Sequence, residues 1–167
     1  MAAAKTGNEL ILAFMQDVYY AERQILKALP KMAKAASNQG LKDAFMHHRE
    51  ETQGQIERLQ RAFEALGKRA RAQTCEAING LVEETEEVIE EFPEGDVRDA
   101  GLVACAQAVE HYEMARYGAL IAWAKAAGQQ DVVALMEETL QEEKKTDELL
   151  NQMANKDINQ AAFKKAA

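Results

Sequence analysis

Carboxylates placed where a helix would normally bury apolar side chains are the residues of this sequence best suited to chemistry. A buried carboxylate without a partner is costly, so several of them near the middle of neighbouring helices are more easily accommodated if they share a cation. Oxygen donors in that number suit iron or manganese, with zinc as an alternative and magnesium less suited. The carboxylates predicted to face inward are Glu22, Glu51, Glu110, Glu113 and Glu143.

The spacing of these residues is compatible with a site for two metal ions. Two divalent ions about 3.5–4 Å apart need both bridging and terminal ligands. Helices supply such ligands from positions i, i+3 and i, i+4 on one face, and Glu110 and Glu113 have the first of these spacings. His48, Gln55 and Asp147 lie on the same faces and are secondary candidates. We therefore predict a site for two ions of iron or manganese in a helical core, with unassigned catalytic residues.

The histidines of the usual di-iron pattern are missing from this sequence. Di-iron carboxylate bundles take a Glu from each of two helices and a Glu-x-x-His motif from each of the other two. Here Glu51 is followed three residues later by Gly54, and Glu143 by Thr146. Fewer imidazole ligands weaken the affinity for iron or favour oxygen ligation. A second interpretation stays open, in which each inward glutamate pairs with an Arg or Lys at the edge of its stripe.

Five helices are predicted to position these residues. Apolar side chains recur at spacings of three and four along almost the whole chain, and no segment shows the alternation of a strand bounded by turn residues. The C-terminal tail, 155–167, is predicted to be frayed. We expect one all-α domain over residues 1–167, with helices at about 9–38, 41–66, 76–92, 96–127 and 130–154.

The lengths of the connections predict how the helices are arranged. Short turns containing glycine join the first two long helices and the last two, so each pair should form an antiparallel hairpin. Between the two hairpins lies a connection of about 30 residues, by residue numbering, with its own short helix. It is long enough to travel the length of the bundle. This is the ferritin-like four-helix bundle with one long crossover, although other bundles share the helix count.

Composition excludes several classes of function. The chain has 167 residues, with 28 acidic and 20 basic side chains and a net charge of −8. That charge disfavours nucleic acids and anionic membranes as partners. Segment 100–109 is among the longest without charge and is too short to span a bilayer, while residues 1–9 do not resemble a secretory signal. Cys75 and Cys105 are expected to be reduced thiols, which together with these features predicts a cytoplasmic protein.

Four motifs in order resemble the YciE/YciF family of ferritin-like bacterial proteins, and more closely its YciF branch. The similarity spans roughly residues 9–155, and the set is specific because all four motifs occur in sequence. The motifs are DVYYAERQ at 17–24 running into ALPKMA at 28–33, HREETQGQIER at 48–58, EHYE at 110–113 with YG at 117–118, and EEK at 142–144 followed by TD at 146–147.

The resemblance implies a cytoplasmic homodimer with a ferritin-like fold, associated with stress responses. It implies the same inward carboxylates, and Glu110-x-x-Glu113 is similar to the third-helix pair of rubrerythrin-type sites. Two functions follow. One is a di-metal oxidoreductase that acts on peroxide or oxygen. The other is a non-catalytic dimeric bundle with a structural or interaction role, whose polar core is vestigial and whose partner surface comprises Leu120, Ile121 and Trp123 beside Met114.

Overall fold

Long α-helices make up most of the chain in the computed structural model, which describes residues 5–164. No strand occurs within this part of the chain. The last helical segment is preceded by one π-helical turn, Ala154–Ile158. The α-helices are α1 (Gly7–Ala35), α2 (Gln39–Ala65), α3 (Glu76–Glu91), α4 (Asp96–Ala126), α5 (Gln130–Met153) and α6 (Asn159–Ala162).

Local signals in the sequence set several of the helix ends. Thr6 and Glu9 form a capping box at the start of α1, and the Asn38 side chain accepts from the backbone N–H of Leu41 at the start of α2. Gly67 and Gly128 follow the ends of α2 and α4 with φ of 64° and 72°, a conformation that favours glycine. These glycines turn the chain and complete the hydrogen bonding of the last helical carbonyls.

The four long helices form a bundle in which each helix contacts two others closely. Helix α1 packs against α2 and α4, and α5 packs against α4 and α2. The Asp99 carboxylate, near the start of α4, accepts from the backbone N–H groups of Ser37 and Asn38 at 2.7 Å each. Helix α4 therefore begins beside the α1–α2 loop and runs parallel to α2. The order of directions is up, down, down, up, which is the ferritin-like arrangement and confirms the predicted fold class.

Helix α3 lies in the crossover and covers one side of the bundle, where it contacts α1 and α4. Ile78 is its fully buried anchor. Its close approach to α4 depends on Gly101, because a Cβ there would lie 2.8 Å from Cγ1 of Val88. The dense acidic run on the rest of α3 is mostly exposed, as expected for a solvated face.

A polar layer divides the apolar core into two clusters. On α2 this layer lies between Phe45, in the cluster near the α1–α2 loop, and Ile56, in the cluster at the opposite end. On α5 it lies between Leu150 and Met136, which belong to the same two clusters. Apolar packing on both sides therefore holds the helices together while polar side chains meet in between.

Three expectations from the sequence need correction. The first helix ends at Ala35 instead of residue 38, because Asn38 caps α2 and its N–H binds Asp99. The tail is helical as far as Ala162 instead of frayed, because Ile158 is buried against the core; residues 165–167 lie outside the described chain. The proposed partner surface is also wrong in part, since Leu120 and Ile121 are buried within the chain.

No helix among residues 5–164 combines the length and the apolar character needed to cross a membrane. The predicted lack of a secretory signal concerns residues 1–9, of which the first four lie outside the described chain. Both cysteines are free thiols, and both are buried.

Candidate metal centre

All four long helices contribute to a buried polar cluster at mid-bundle. The positions follow from helical spacing, because a residue on the apolar stripe points to the bundle axis whatever its type. Helix α4 contributes two residues three positions apart, on adjacent turns of one face. The cluster comprises Glu22 from α1, His48 from α2, Glu110 and Glu113 from α4 and Glu143 from α5, each no more than 3% exposed.

Four of these side chains converge closely enough to share an ion. Ligand atoms of His48, Glu110, Glu113 and Glu143 all lie within 4.8 Å of one another. Nε2 of His48 lies 3.2 Å from Oε1 of Glu110 and 3.8 Å from Oε2 of Glu143. One imidazole and three carboxylates from three helices thus surround a common centre, with Glu22 from the fourth helix beside it.

Most of the polar atoms in the cluster have no hydrogen-bond partner within residues 5–164. This holds for both carboxylate oxygens of Glu113 and of Glu143 and for one oxygen each of Glu22 and Glu110. Nε2 of His48 lies 3.2 Å from Oε1 of Glu110, but the contact lacks hydrogen-bond geometry. Buried polar atoms without partners are rare in folded proteins, and each usually indicates a missing water or ion. The set is therefore suited to a divalent cation, which could bind one atom from each of His48, Glu110, Glu113 and Glu143.

Burial and mutual repulsion favour the protonated forms of Glu22, Glu113 and Glu143 in the absence of a cation. Burial raises the pKa of Glu22 to about 7. Burial and the neighbouring carboxylates hold the pKa values of Glu113 and Glu143 well above their usual range. Burial by itself lowers the pKa of His48, but the neighbouring carboxylates, first of all Glu110, outweigh it and hold that pKa well above its usual range. A bound cation would reverse this preference by stabilising the carboxylates.

Tyr117 on α4 orients one of the cluster's carboxylates. Its fully buried hydroxyl donates a hydrogen bond to Oε1 of Glu22, which leaves Oε2 without a partner among the described residues. Burial, followed by the charge of Glu22, raises the pKa of Tyr117 far above its usual range, so the hydroxyl keeps its proton and remains a donor.

The structure separates three of the candidate residues from the cluster. Glu51 is half-buried at its edge and lies 3.5 Å from Nδ1 of His48. Asp147 is also half-buried but lies away from the cluster, where its Oδ1 accepts from the amide of Gln107 and lies 3.2 Å from Nε2 of His111. Gln55 is fully buried but its amide donates to Glu142, so it belongs to a neighbouring network.

That neighbouring network contains a residue that the sequence interpretation did not single out. Arg58 on α2 is buried, and its guanidinium contacts Glu138, Thr139 and Glu142 on α5. The signal was present, because Arg58 lies three positions after Gln55 and so extends the same inward face. An arginine is usually read as exposed, however, and only the packing of α5 shows that this one is covered.

A narrow apolar cavity extends from the cluster toward the α1–α2 loop. His48 and Glu110 form its polar end, and residues such as Leu29, Phe45 and Ala106 line its walls. The space open to the centre of a water molecule is about 20 Å³, which corresponds to roughly one or two water-sized molecules. Only very small molecules fit beside the cluster without movement of the helices.

Fold and site together define an all-α, ferritin-like bundle with a buried His/Glu cluster that could hold a metal ion. The chain belongs to the family described as Domain of unknown function (DUF892), which it matches over residues 6–163. It is 44% identical over 163 residues to Protein YciF of Escherichia coli strain K12, covering 97% of this chain and 98% of that protein. The predicted YciE/YciF resemblance is thus confirmed.

Solved structures extend the same relationship. The crystal structure of the E. coli stress protein YciF matches with a TM-score of 0.89 and 43% identity, covering 93% of this chain and 99% of that one. YcfI of Rhodopseudomonas palustris, described as a candidate structural protein, matches with a TM-score of 0.87 and 48% identity, covering 88% and 94%. A protein of Xanthomonas campestris, XCC3681, matches with a TM-score of 0.74 and 26% identity, covering 93% of this chain and 95% of that one.

Proposed function

We propose that this protein is a ferritin-like stress-response protein that binds a pair of iron or manganese ions in its polar layer and acts on peroxide or oxygen. The single observation that carries the proposal is the set of buried, unpartnered ligand atoms of Glu22, His48, Glu110, Glu113 and Glu143 within the described chain. Zinc would satisfy the same atoms without redox chemistry. The stress role is supported by the E. coli relative, which is described as a stress protein.

The residues around the cluster support this chemistry in distinct ways. Bound iron or manganese supplies the redox chemistry that peroxide or oxygen requires. Glu113 and Glu143 each offer two oxygens without a partner among residues 5–164 and would hold the metal, while Tyr117 holds Glu22 in one orientation. The two apolar clusters exclude bulk water, and the narrow cavity admits a molecule of the size of peroxide or oxygen.

Metal analysis of the purified protein tests the proposal. The protein is loaded with Fe(II) or Mn(II) without oxygen, freed of excess metal, and analysed by inductively coupled plasma mass spectrometry. About two equivalents are expected, with loss of metal in a Glu110→Ala/Glu143→Ala variant and retention in an Asp131→Ala/Glu137→Ala control, where both residues are exposed on α5. Absence of retained metal would refute the proposal, and unchanged peroxide decay in the loaded protein would reduce it to metal binding.

A second candidate function is a non-catalytic structural or interaction protein with a vestigial polar core. It is favoured by the description of the R. palustris relative and by the missing Glu-x-x-His motifs. In this case the glutamates are kept neutral by burial, as the raised pKa values of Glu113 and Glu143 in the metal-free protein allow. Full stability and stress protection by a Glu110→Gln/Glu143→Gln variant that binds no metal would favour it.

We also propose that the protein is a cytoplasmic homodimer without nucleic-acid or membrane partners. The proposal rests on the family resemblance and on the net charge of −8, which disfavours polyanions. Light scattering coupled to size-exclusion chromatography measures the mass directly, and a value near the 18.6 kDa of one chain would contradict the dimer.

A further inference from the structure

A line of three side chains on α2 connects the buried cluster with solvent. Nε2 of His47 lies 3.5 Å from Oε1 of Glu51, and Oε2 of Glu51 lies 3.5 Å from Nδ1 of His48. The exposed fraction of the three side chains falls from 67% for His47 to 21% for Glu51 and 4% for His48. The other ring nitrogen of His48 faces Glu110 and Glu143. Ligating atoms therefore follow one another from the surface to the cluster.

The facing helix is also polar at this point. Oγ1 of Thr146, on α5, lies 3.4 Å from both Oε2 of Glu51 and Nδ1 of His48. Thr146 and Ala44 are half-buried, and both line the cavity that reaches His48. The seam between α2 and α5 thus approaches the cluster through small or polar side chains that are partly exposed to solvent.

Other approaches to the cluster are less suited to a cation. Further along the same seam, the Arg58 guanidinium fills the space between α2 and α5, and its positive charge would repel a cation. On the α1–α4 side, Tyr117 closes over Glu22 through a buried hydrogen bond. Apart from Thr85 and Thr146, the cavity walls between its polar end and the α1–α2 loop are apolar and offer no ligands that could replace the water around an ion.

We propose that His47 and Glu51 form a transient binding site through which divalent cations reach the buried cluster, so that Glu51 acts in uptake and is not a resident ligand. The proposal rests on the proposed metal-binding function. His47 and Glu51 take the hydrated cation from solvent, and their donor atoms replace part of its water. His48 is the next ligand along the route, because its two nitrogens face Glu51 on one side and the cluster on the other.

The test measures the rate of cobalt uptake separately from its extent. Co(II) is stable in air, and its visible absorption reports the coordination sphere in stopped-flow experiments. The variants are Glu51→Gln and His47→Ala. The control is His111→Ala, because His111 is 66% exposed and also lies beside a carboxylate, that of Asp147, but belongs to α4 and not to the α2–α5 seam. Urea unfolding of each variant verifies that the fold is retained.

We expect the uptake rate to fall roughly tenfold in Glu51→Gln, since loss of a steering and binding charge lowers association rates, and by less in His47→Ala. The final stoichiometry and the equilibrium dissociation constant should match the unmodified protein, and His111→Ala should load at the unmodified rate. Equal rates for Glu51→Gln and the unmodified protein would overturn the uptake route alone. Weaker equilibrium binding or lower stoichiometry in Glu51→Gln would show that Glu51 supports the bound state, as a ligand or by orienting His48, and would also overturn the route. No cobalt binding by the unmodified protein would overturn the metal-binding function and, with it, the route.

Discussion

The hydroxyl of Tyr117 donates a hydrogen bond to Oε1 of Glu22, and both side chains are fully buried. The bond joins α4 to α1 inside the polar layer. It favours the ionised form of Glu22 and so opposes the effect of burial on its pKa. A carboxylate that ligates a metal must be ionised and held in one orientation, and this hydrogen bond favours both. Replacement of Tyr117 removes the hydroxyl and so tests its effect on Glu22.

Replacement of Tyr117 by Phe removes this hydrogen bond with little change in shape. We expect the free energy of unfolding of the metal-free protein to fall by about 1–3 kcal/mol, the usual cost of a buried acceptor left unpaired. Metal affinity should fall as well, because Glu22 loses its orientation. Urea unfolding and metal titration measure the two effects.

The matched control for Tyr117→Phe is Tyr20→Phe. Tyr20 also donates a side-chain hydrogen bond, to Oδ1 of Asn79 at 2.9 Å, but it lies outside the polar layer and is only partly buried. Its loss should cost about 1 kcal/mol and leave metal affinity unchanged. Equal metal affinities for Tyr117→Phe and Tyr20→Phe would contradict the positioning role of Tyr117.

The stability of the metal-free protein should fall as pH rises from about 5 to 8. A group whose pKa is higher in the folded than in the unfolded chain stabilises the fold at low pH, and this contribution is lost as pH rises through the folded pKa. The pKa of Glu22 rises from 4.5 to about 7 on folding. This shift corresponds to a loss of about 3 kcal/mol in the free energy of unfolding over this pH range. The pKa values of Glu113, Glu143 and His48 are also raised on folding, so these groups add to the same loss.

Denaturant unfolding at several pH values, with a chelator and with saturating Mn(II), measures this dependence. Metal should reverse its sign, because deprotonated ligands bind the ion and affinity rises with pH. Stability that stays constant or rises with pH in the presence of the chelator would show that the cluster is satisfied by other means.

Replacement of Glu113 by Gln should stabilise the metal-free protein while weakening metal binding. The change keeps the volume but removes a carboxyl group that is buried among other carboxylates, where burial and repulsion make its ionisation unfavourable and hold its pKa well above the usual range. We expect a gain of about 1–2 kcal/mol in the free energy of unfolding at pH 8, of the kind found where a functional site carries strain. Glu83→Gln, on the exposed face of α3, is the control and should change stability by less than about 0.5 kcal/mol. If Glu113→Gln lowered the stability of the metal-free protein and left metal binding intact, the prediction would be wrong.

Asp99 should be essential to the attachment of α4 to the α1–α2 loop. Its two carboxylate oxygens accept from the N–H groups of Ser37 and Asn38, and it is 1% exposed. Asp99→Ala leaves two backbone donors without this acceptor, and we expect a loss of about 2–4 kcal/mol. Asp96→Ala, an exposed residue in the same first turn, should cost about 0.5–1 kcal/mol through the helix dipole alone. Thermal unfolding of both variants distinguishes the two roles. An equal loss of stability in Asp99→Ala and Asp96→Ala would show that Asp99 does not attach α4 to the α1–α2 loop.

The sequence predicted the fold well because helical fold class depends on a local, repeated signal. Residues such as Val18, Ile25 and Leu29 recur along α1 at helical spacing, and no tertiary information is needed to recognise the stripe. The same reasoning predicted that Glu110 and Glu113 face inward, because they occupy two positions of the corresponding apolar stripe on α4. Helix ends were less accurate, because Asn38 acts as a cap only in the presence of α2 and Asp99.

The site was predictable only in its core. Glu22, Glu110, Glu113 and Glu143 are buried as their positions predicted. Asp147 has an i, i+4 spacing that is equally helical, but it is only half-buried and contacts Gln107 and His111 outside the cluster. The difference arises because the two sides of a stripe are equivalent in one helix and become distinct only when a neighbouring helix covers one of them.

By itself, the sequence determined that the chain forms long amphipathic helices, that one long crossover joins two hairpins, and that acidic residues interrupt the apolar stripes. Only the tertiary structure decided that His48 completes the cluster, that Arg58 is covered, and that Glu51 lies between His47 and the core. The physical reason is the range of the interactions. Helical periodicity acts over a few residues, whereas burial and ligand convergence arise from side chains that are far apart in the chain and meet only when the four helices pack.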